Sequence, residues 1–385
     1  MADKPLIALL TNNDDDVYCF RAELLRELTD KGYRVLISCP DGPKFDAFER
    51  DFGLGKDRDF IYDDPDIDRR GTSVKNDLRL MRHYRELFKA NSPDVVLAFT
   101  AKPNVYATLA AHRMKIPVIN NVTGFGSVLK VSKLKRAFVM RLFKRAYRRS
   151  SCIMFQNKTN MELAHILGMV KGKSVLLPGS GVDAARFPYI EYPDGGDGKN
   201  GATVIFNYIG RVLHDKGVDD YIEVARRIKK DYPNTEFNML GFVEPTESHY
   251  ENELRELTEA GVVLYRGQQE DVRPWIARSH CIIHPSTYGE GMSNVLLENA
   301  SSGRPIITTD NPGCRETVID GESGFIYKGG DVDALYDLVV RFLGMNNDER
   351  RKAGLAGSAH VGANFSRNKV ISEYMAEIER LTKDS

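Results

Sequence analysis

The 385-residue sequence predicts an α/β protein of two successive doubly wound halves, and three observations carry that prediction. The chain is too long for one ordinary hydrophobic core. Short, continuous apolar runs alternate with amphipathic segments, as parallel strands buried on both faces require. The alternation also stops once, at a stretch rich in Pro, Gly and Asp, and then begins again.

In the first half the runs are "PLIALLT", "YRVLISCP", "DVVLAFT", "PVINNVT" and "SCIMFQN". "PYIEYPDGGDGKNG" (Pro188–Gly201) has no periodicity and reads as an interdomain linker. The second half then runs through "TVIFNYIG", "TEFNMLG", "VVLYRG", "CIIHPS", "PIITTD" and "GFIY". The last segment, "FSRNKVISEYMAEIERLTKDS", is an amphipathic helix with Ser366 as its expected N-cap. The expected domains are therefore 1–187, the linker 188–201, 202–365, and a terminal helix 366–385. In such sheets ligands gather at the carboxyl ends of the strands.

Composition excludes several classes. Lys plus Arg and Asp plus Glu both number 54, so net charge selects no partner. Five cysteines without a C-x-x-C pair suggest neither a disulfide framework nor a zinc site, and reduced thiols in a cytoplasmic protein are expected. The apolar run at the N-terminus is too short for a signal peptide, and no stretch approaches the roughly 20 apolar residues of a membrane span. "TNNDDD" stands where a dinucleotide fold would carry G-x-G-x-x-G, which argues against a nicotinamide oxidoreductase.

The chemistry concentrates in "HPSTYGEGMSNVLLENASSGRPIITTDNPG" (His284–Gly313), read as strand, loop and helix. A helix that starts after a glycine offers free N–H groups and a positive dipole end, which suit a phosphate. Glu290 sits just before that start, where a carboxylate is better matched to sugar hydroxyls than to phosphate. Alone, Glu290 reads equally as a first-turn acid and Glu298 as part of a solvated face. "YIGRVLHDKG" (Tyr208–Gly217) adds Arg211 and Lys216 on a strand-to-helix loop, placed to neutralise a diphosphate.

"GRVLHDKG", the two glutamates separated by seven residues, and "GCRETVIDGESGFI" together resemble the C-terminal domain of the retaining glycosyltransferases of family 4, which have the GT-B fold. The likeness is dense over Asn207 to Tyr327. It continues more loosely through "FRAELLRELTDKGYRV", "AKPNVYATLAA", "NVTGFGSVL" and "LPGSGVDAARF". The branch resembled builds capsule, O-antigen or glycoprotein glycans on lipid-diphosphate carriers. The resemblance implies that Arg211 and Lys216 hold the donor diphosphate and stabilise the departing nucleotide. It implies that Glu290 binds donor-sugar hydroxyls and Glu298 the ribose. Gly291 and the amides of Met292, Ser293, Asn294 and Val295 would cradle phosphate or sugar, with Gly210, Gly241 and Arg266 along the nucleotide. It implies no cofactor and no metal, the nucleotide sugar, expected to be a UDP-sugar, being a substrate.

The resemblance gives the first half the acceptor and the cleft between the domains the reaction. Asn12, Arg21, Asn104, Gly124 and Gly126 are its candidate acceptor residues, and the loop after the first strand lacks the glycines that many relatives carry. "LAFTAKPN" lacks the histidine that relatives place there. Lys102 is the candidate for electrostatic help in its stead, or a surface lysine. Asp14-Asp15-Asp16 read as a helix start rather than as a Mg²⁺ site. Between Asp94 and Glu162 no acidic residue occurs while thirteen Lys or Arg do. Lys130–Arg149 form a basic helix with Leu134, Phe138, Leu142 and Ala146 at four-residue steps. That helix is a candidate for peripheral contact with an anionic membrane at the inner face of the cell membrane. The alternative is a solvated helix. Nucleic acid has no recognition motif here. The leading expectation is thus a retaining, metal-independent glycosyltransferase acting on a glycan or polyprenyl-diphosphate-linked saccharide. A UDP-sugar 2-epimerase of the same architecture and a catalytically dead nucleotide-sugar sensor are the competing readings.

Overall fold

The computed structural model describes residues 4–68, 73–125 and 133–383. Among the described residues thirteen parallel strands form two sheets, one in each of two compact units. Residues 1–180 with 368–385 make the first unit and residues 181–367 the second.

The first sheet has the order β3-β2-β1-β4-β5-β6-β7. Its strands are β1 (Leu6–Leu10), β2 (Arg34–Ser38), β3 (Ile61–Asp63), β4 (Val95–Phe99), β5 (Val118–Val122), β6 (Cys152–Phe155) and β7 (Lys173–Leu176). Every residue of β1 is buried. Ile7 and Leu9 point to one core and Leu6, Ala8 and Leu10 to the other, the period-two alternation of a strand covered on both faces. The two edge strands, β3 and β7, are the ones that apolar runs did not reveal. They are short and only partly buried, so their sequences need no continuous apolar run.

The second sheet has the order β10-β9-β8-β11-β12-β13. It consists of β8 (Val204–Ile209), β9 (Thr235–Leu240), β10 (Leu264–Gly267), β11 (Cys281–His284), β12 (Ile306–Thr309) and β13 (Gly324–Tyr327). All six coincide with the runs read from the sequence. In each sheet the strand order reverses direction once, between β1 and β4 and between β8 and β11. A crevice opens at such a point because the flanking loops depart to opposite faces.

The chain passes from the first unit to the second between Ser180 and Gly181. The stretch expected as a linker, Pro188–Gly201, instead lies inside the second unit as a strap. Tyr192 is buried and its hydroxyl donates to the His280 carbonyl at 2.8 Å. Buried Arg304 donates to the carbonyls of Ile190 and Glu191 at 3.2 and 3.0 Å, and buried Arg350 to that of Gly196 at 3.0 Å. A segment poor in apolar residues is thus held through its own backbone. The final helix, Arg367–Lys383, buries Val370, Tyr374, Met375, Ile378 and Leu381 in a core of the first unit. No helix among the described residues is long and apolar enough to cross a membrane.

Candidate functional site

Three loops at the carboxyl edge of the second sheet knit into one surface around the β8/β11 reversal. After β8 the chain makes a tight turn, His214–Lys216, closed by Gly217 at φ 75°. A Cβ at Gly217 would collide with the carbonyl of Pro285, so glycine is what lets the β8 loop lie on the β11 loop. The Thr287 amide donates to the Asp215 carbonyl at 2.9 Å and ties the same two loops. The loop after β12 locks the third side, where the Ser293 amide donates to the Gly313 carbonyl at 2.8 Å. A Cβ at Gly313 would press on the Gly291 carbonyl.

Two cations and two carboxylates converge there. Lys216 forms an ion pair with Glu290, their side chains 11% and 13% exposed. Arg211 Nη1 meets Glu244 Oε1 at 2.6 Å. Both cations lie over the ring of Tyr288, at 5.5 Å for Arg211 and 5.2 Å for Lys216, a cation–π arrangement. His284 is buried beneath them, its Nε2 3.7 Å from Glu290 and 3.4 Å from the Ser293 hydroxyl.

Electrostatics fixes the charge states. Burial works against the Glu290 carboxylate, yet Lys216 and His284 outweigh it and hold the pKa at about 2. Burial holds His284 below its ordinary value, so it is neutral. Burial also opposes the Arg211 charge, but hydrogen bonding to Glu244 and Tyr288 more than restores it. Glu298 differs. Burial lifts its carboxyl to about 7, with Arg186 and Arg367 only partly offsetting.

The helix Asn294–Ser301 begins at this edge. Of the amides expected to cradle a ligand, that of Ser293 is already spent on Gly313, so the free donors of the helix start lie beyond it. Met292 is a core side chain, packed with Ile209, Leu240 and Leu296. Gly241 stands at φ 144°, where a Cβ would collide with the Gly210 carbonyl. Close packing of β8 against β9 by itself requires that glycine. Arg266 sits at the end of the edge strand β10, bonded to Asn238 Oδ1 at 2.9 Å and 5.3 Å from the Trp275 ring, two strands from the convergence.

His284, Glu290 and Cys314 offer ligand atoms within 4.8 Å of one another, the arrangement a metal would need. Here the Glu290 carboxylate is paired with the Lys216 ammonium, and burial pushes the Cys314 thiol far up.

In the first unit the picture changes for three expected residues. Arg21 is 1% exposed, 4.0 Å over the Phe99 ring and 3.6 Å from Asp16, so it braces the core of the first unit. It lies at the end of a π-helical turn, Val17–Arg21, which shifts the register by one residue from an ordinary helix. Lys102 is 2.9 Å from Asp77, which also accepts from Tyr106 at 2.7 Å. Its charge is thereby compensated within the unit. Asn104 is buried and donates to the Asn121 carbonyl at 2.7 Å. Asn12 follows β1 and keeps a buried, unbonded Oδ1 at the β1/β4 reversal. Gly124 follows β5 at φ 123°. Gly126 lies outside the described residues. Asp14-Asp15-Asp16 form a helix start, capped by the Asn13 side chain at 2.8 Å from the Asp16 amide.

The basic helix spans Lys133–Tyr147 and buries Phe143, Ala146 and Tyr147. Phe138, expected in its apolar stripe, is 62% exposed, and Arg141, Lys144, Arg145 and Arg148 are exposed as well. Residues 130–132 lie outside the described residues.

Glu244, Tyr288 and His284 were given no role by the sequence. Tyr288 and His284 stand inside the motif that was singled out, and its two glutamates drew attention from them. Glu244 sits after β9, and only the pairing of β8 with β9 brings it to Arg211.

Comparison with known proteins agrees with this architecture. The family model described as "Glycosyl transferase 4-like" matches residues 7–157, and "Glycosyl transferases group 1" matches 203–345. The chain belongs to the GT-B glycosyltransferases that these two models describe. It is 24% identical over 390 residues to N,N'-diacetylbacillosaminyl-diphospho-undecaprenol alpha-1,3-N-acetylgalactosaminyltransferase of Campylobacter jejuni, covering 98% of this chain and 99% of that one. A capsular polysaccharide biosynthesis glycosyltransferase, CapM of Staphylococcus aureus, is 28% identical across 47% of each chain. Among solved structures, sucrose-phosphate synthase from Thermosynechococcus elongatus superposes with a TM-score of 0.81 at 16% identity, covering 99% of this chain and 100% of that one. Anabaena HepE in complex with UDP and glucose does so at 0.74 and 16%, covering 97% and 98%. Both share the fold.

Proposed function

We propose that the protein is a retaining glycosyltransferase that moves a sugar from a UDP-sugar to a polyprenyl-diphosphate-linked saccharide in surface-glycan synthesis, without a metal. One observation carries the reading: Arg211 and Lys216 converge over Tyr288 beside Glu290, at the strand-order reversal of the second sheet. Two fixed cations match the two charges of a diphosphate and supply the positive charge that a metal supplies elsewhere. With the diphosphate on Lys216, Glu290 turns to the donor-sugar hydroxyls. Glu298 takes the ribose hydroxyls.

In this mechanism the acceptor hydroxyl attacks the anomeric carbon from the face the phosphate is leaving. The new C–O bond forms as the bond to the β-phosphate breaks, and the departing phosphate oxygen takes the hydroxyl proton. Arg211 and Lys216 stabilise the charge that develops on it. The lipid-diphosphate acceptor draws support from the name of the Campylobacter relative. Contact with the inner face of the cell membrane draws support from the exposed Phe138 among Arg141, Lys144, Arg145 and Arg148.

The test is a donor screen with purified protein in EDTA, across UDP-hexoses, their N-acetylated and uronic forms and GDP-mannose, with and without lipid-diphosphate acceptors. Nucleotide release from one donor is expected, with the acceptor product keeping the donor's anomeric configuration, and it is lost in Glu290→Ala and Lys216→Ala. Epimerisation of the donor without acceptor, or a strict metal requirement, would overturn the reading.

A further inference from the structure

Glu244 is the unclaimed member of the convergence. It follows β9 and is anchored through its backbone, its amide donating to the Val212 carbonyl at 3.1 Å. Val212 and Val243 form a parallel bridge that prolongs the β8–β9 pairing past the strand ends. The Glu244 carboxylate is 2% exposed and therefore fixed, whereas the Arg211 side chain that it meets at 2.6 Å is 37% exposed on its other side. A guanidinium has five N–H donors in a rigid fork; Glu244 takes one at Nη1, and Tyr288 also hydrogen-bonds to the group. Its exposed part can meet an anion.

Charge gives this geometry its consequence. Lys216 pairs with Glu290, Arg211 pairs with Glu244, and Tyr288 lies against both cations. Each cation of the convergence thus has its own carboxylate partner. A diphosphate that draws Lys216 away frees Glu290 for sugar hydroxyls, but Glu244 is buried on the far side of Arg211 and stays. It keeps repelling whatever anion Arg211 holds. Resting on the donor-site reading above, we propose that Glu244 is a positioning residue which aims Arg211 at the diphosphate and tempers the affinity of the site, so that the spent nucleoside diphosphate departs. Attraction from a fully uncompensated Arg–Lys pair would favour nucleotide and transition state alike, which lowers KM without raising kcat and slows release.

The test is titration calorimetry of the full chain with UDP, GDP and ADP, at two salt concentrations, for the wild type, Glu244→Gln and Glu244→Asp. Glu244→Gln keeps the shape and removes the charge. Its affinity for the nucleotide that the wild type binds rises about tenfold, with a steeper salt dependence. In turnover its KM falls, its inhibition by product tightens by the same factor, and kcat drops. Glu244→Asp keeps the charge but shortens the reach, so kcat drops with no gain in affinity. A Glu244→Gln protein with an unchanged melting temperature but equal or weaker nucleotide affinity would overturn the proposal. Tight binding by the wild type with that result leaves the donor-site reading standing, whereas no binding of any of the three nucleotides to the wild type sinks that reading and the role of Glu244 with it.

Discussion

Replacing Glu298 by glutamine separates the energetic cost of this carboxyl from its proposed use. Burial raises its pKa from an ordinary 4.5 to about 7. A carboxyl that holds its proton more tightly in the folded state adds stability that is fully present below the unfolded pKa. That stability is lost as pH rises through the folded one. At about 1.4 kcal/mol per unit the shift amounts to a loss of about 3 kcal/mol between pH 4.5 and pH 7. Glutamine cannot ionise and escapes that loss. The variant should match the wild type near pH 4 and exceed it by up to about 3 kcal/mol at pH 8.5. For a unit of this size that is a melting-temperature gain of about 6–12 °C. Trp275 is the sole tryptophan and lies in the second unit, so its fluorescence reports the relevant transition. If the ribose hydroxyls are bound by the ionised form, UDP affinity of the wild type falls below pH 7, while the variant binds more weakly and without that dependence. An equal stability gap between the two proteins at pH 4 and at pH 8.5 would refute the reasoning.

Three further outcomes follow from the geometry. Gly241→Ala combines a Cβ collision with the Gly210 carbonyl and an L-residue at φ 144°, so it should cost at least about 3 kcal/mol in urea unfolding followed at Trp275. Thr100, β-branched yet at φ 66°, stores backbone strain at the end of β4, and Thr100→Gly should stabilise the protein by about 1 kcal/mol by circular dichroism. Loss of stability would instead mean that the threonine side chain is holding the turn. Phe138→Glu together with Arg141→Glu should abolish sedimentation with anionic phosphatidylglycerol vesicles, at a cost in solution stability under about 0.5 kcal/mol because both side chains are exposed. Undiminished sedimentation would remove this helix from any membrane contact.

The strand pattern was legible wherever a strand is buried on both faces, because burial leaves a continuous apolar run. The edge strands β3 and β7 escaped for the complementary reason. In the candidate site, Arg211, Lys216 and Glu290 were legible because loop glycines and charged residues mark a place where plain packing would use neither. Their partners were not, since Glu244 and Tyr288 acquire meaning only when β9 and the β11 loop are brought beside Arg211. The partners of Arg21 and Lys102 were hidden for a related reason. A basic residue near a strand end reads as ligand-facing until its counter-charge is located, and Asp16 and Asp77 are visible as counter-charges only in three dimensions. The strap was misread because composition cannot disclose two buried arginines more than a hundred residues downstream.

The two passages between the units have a consequence for modular assembly. At the start of the second unit the Val182 amide donates to the Phe365 carbonyl at 2.8 Å. At its end the Arg367 amide returns to the Val182 carbonyl at 3.0 Å. Entry and exit are thus hydrogen-bonded to each other, and the second unit is built as an insert whose two ends meet at one point. Grafting it into a related scaffold calls for two cuts, at 180/181 and 367/368. A single cut at the Pro- and Gly-rich stretch would strip the carbonyls of Ile190, Glu191 and Gly196 from Arg304 and Arg350 and leave two buried guanidinium groups without their acceptors.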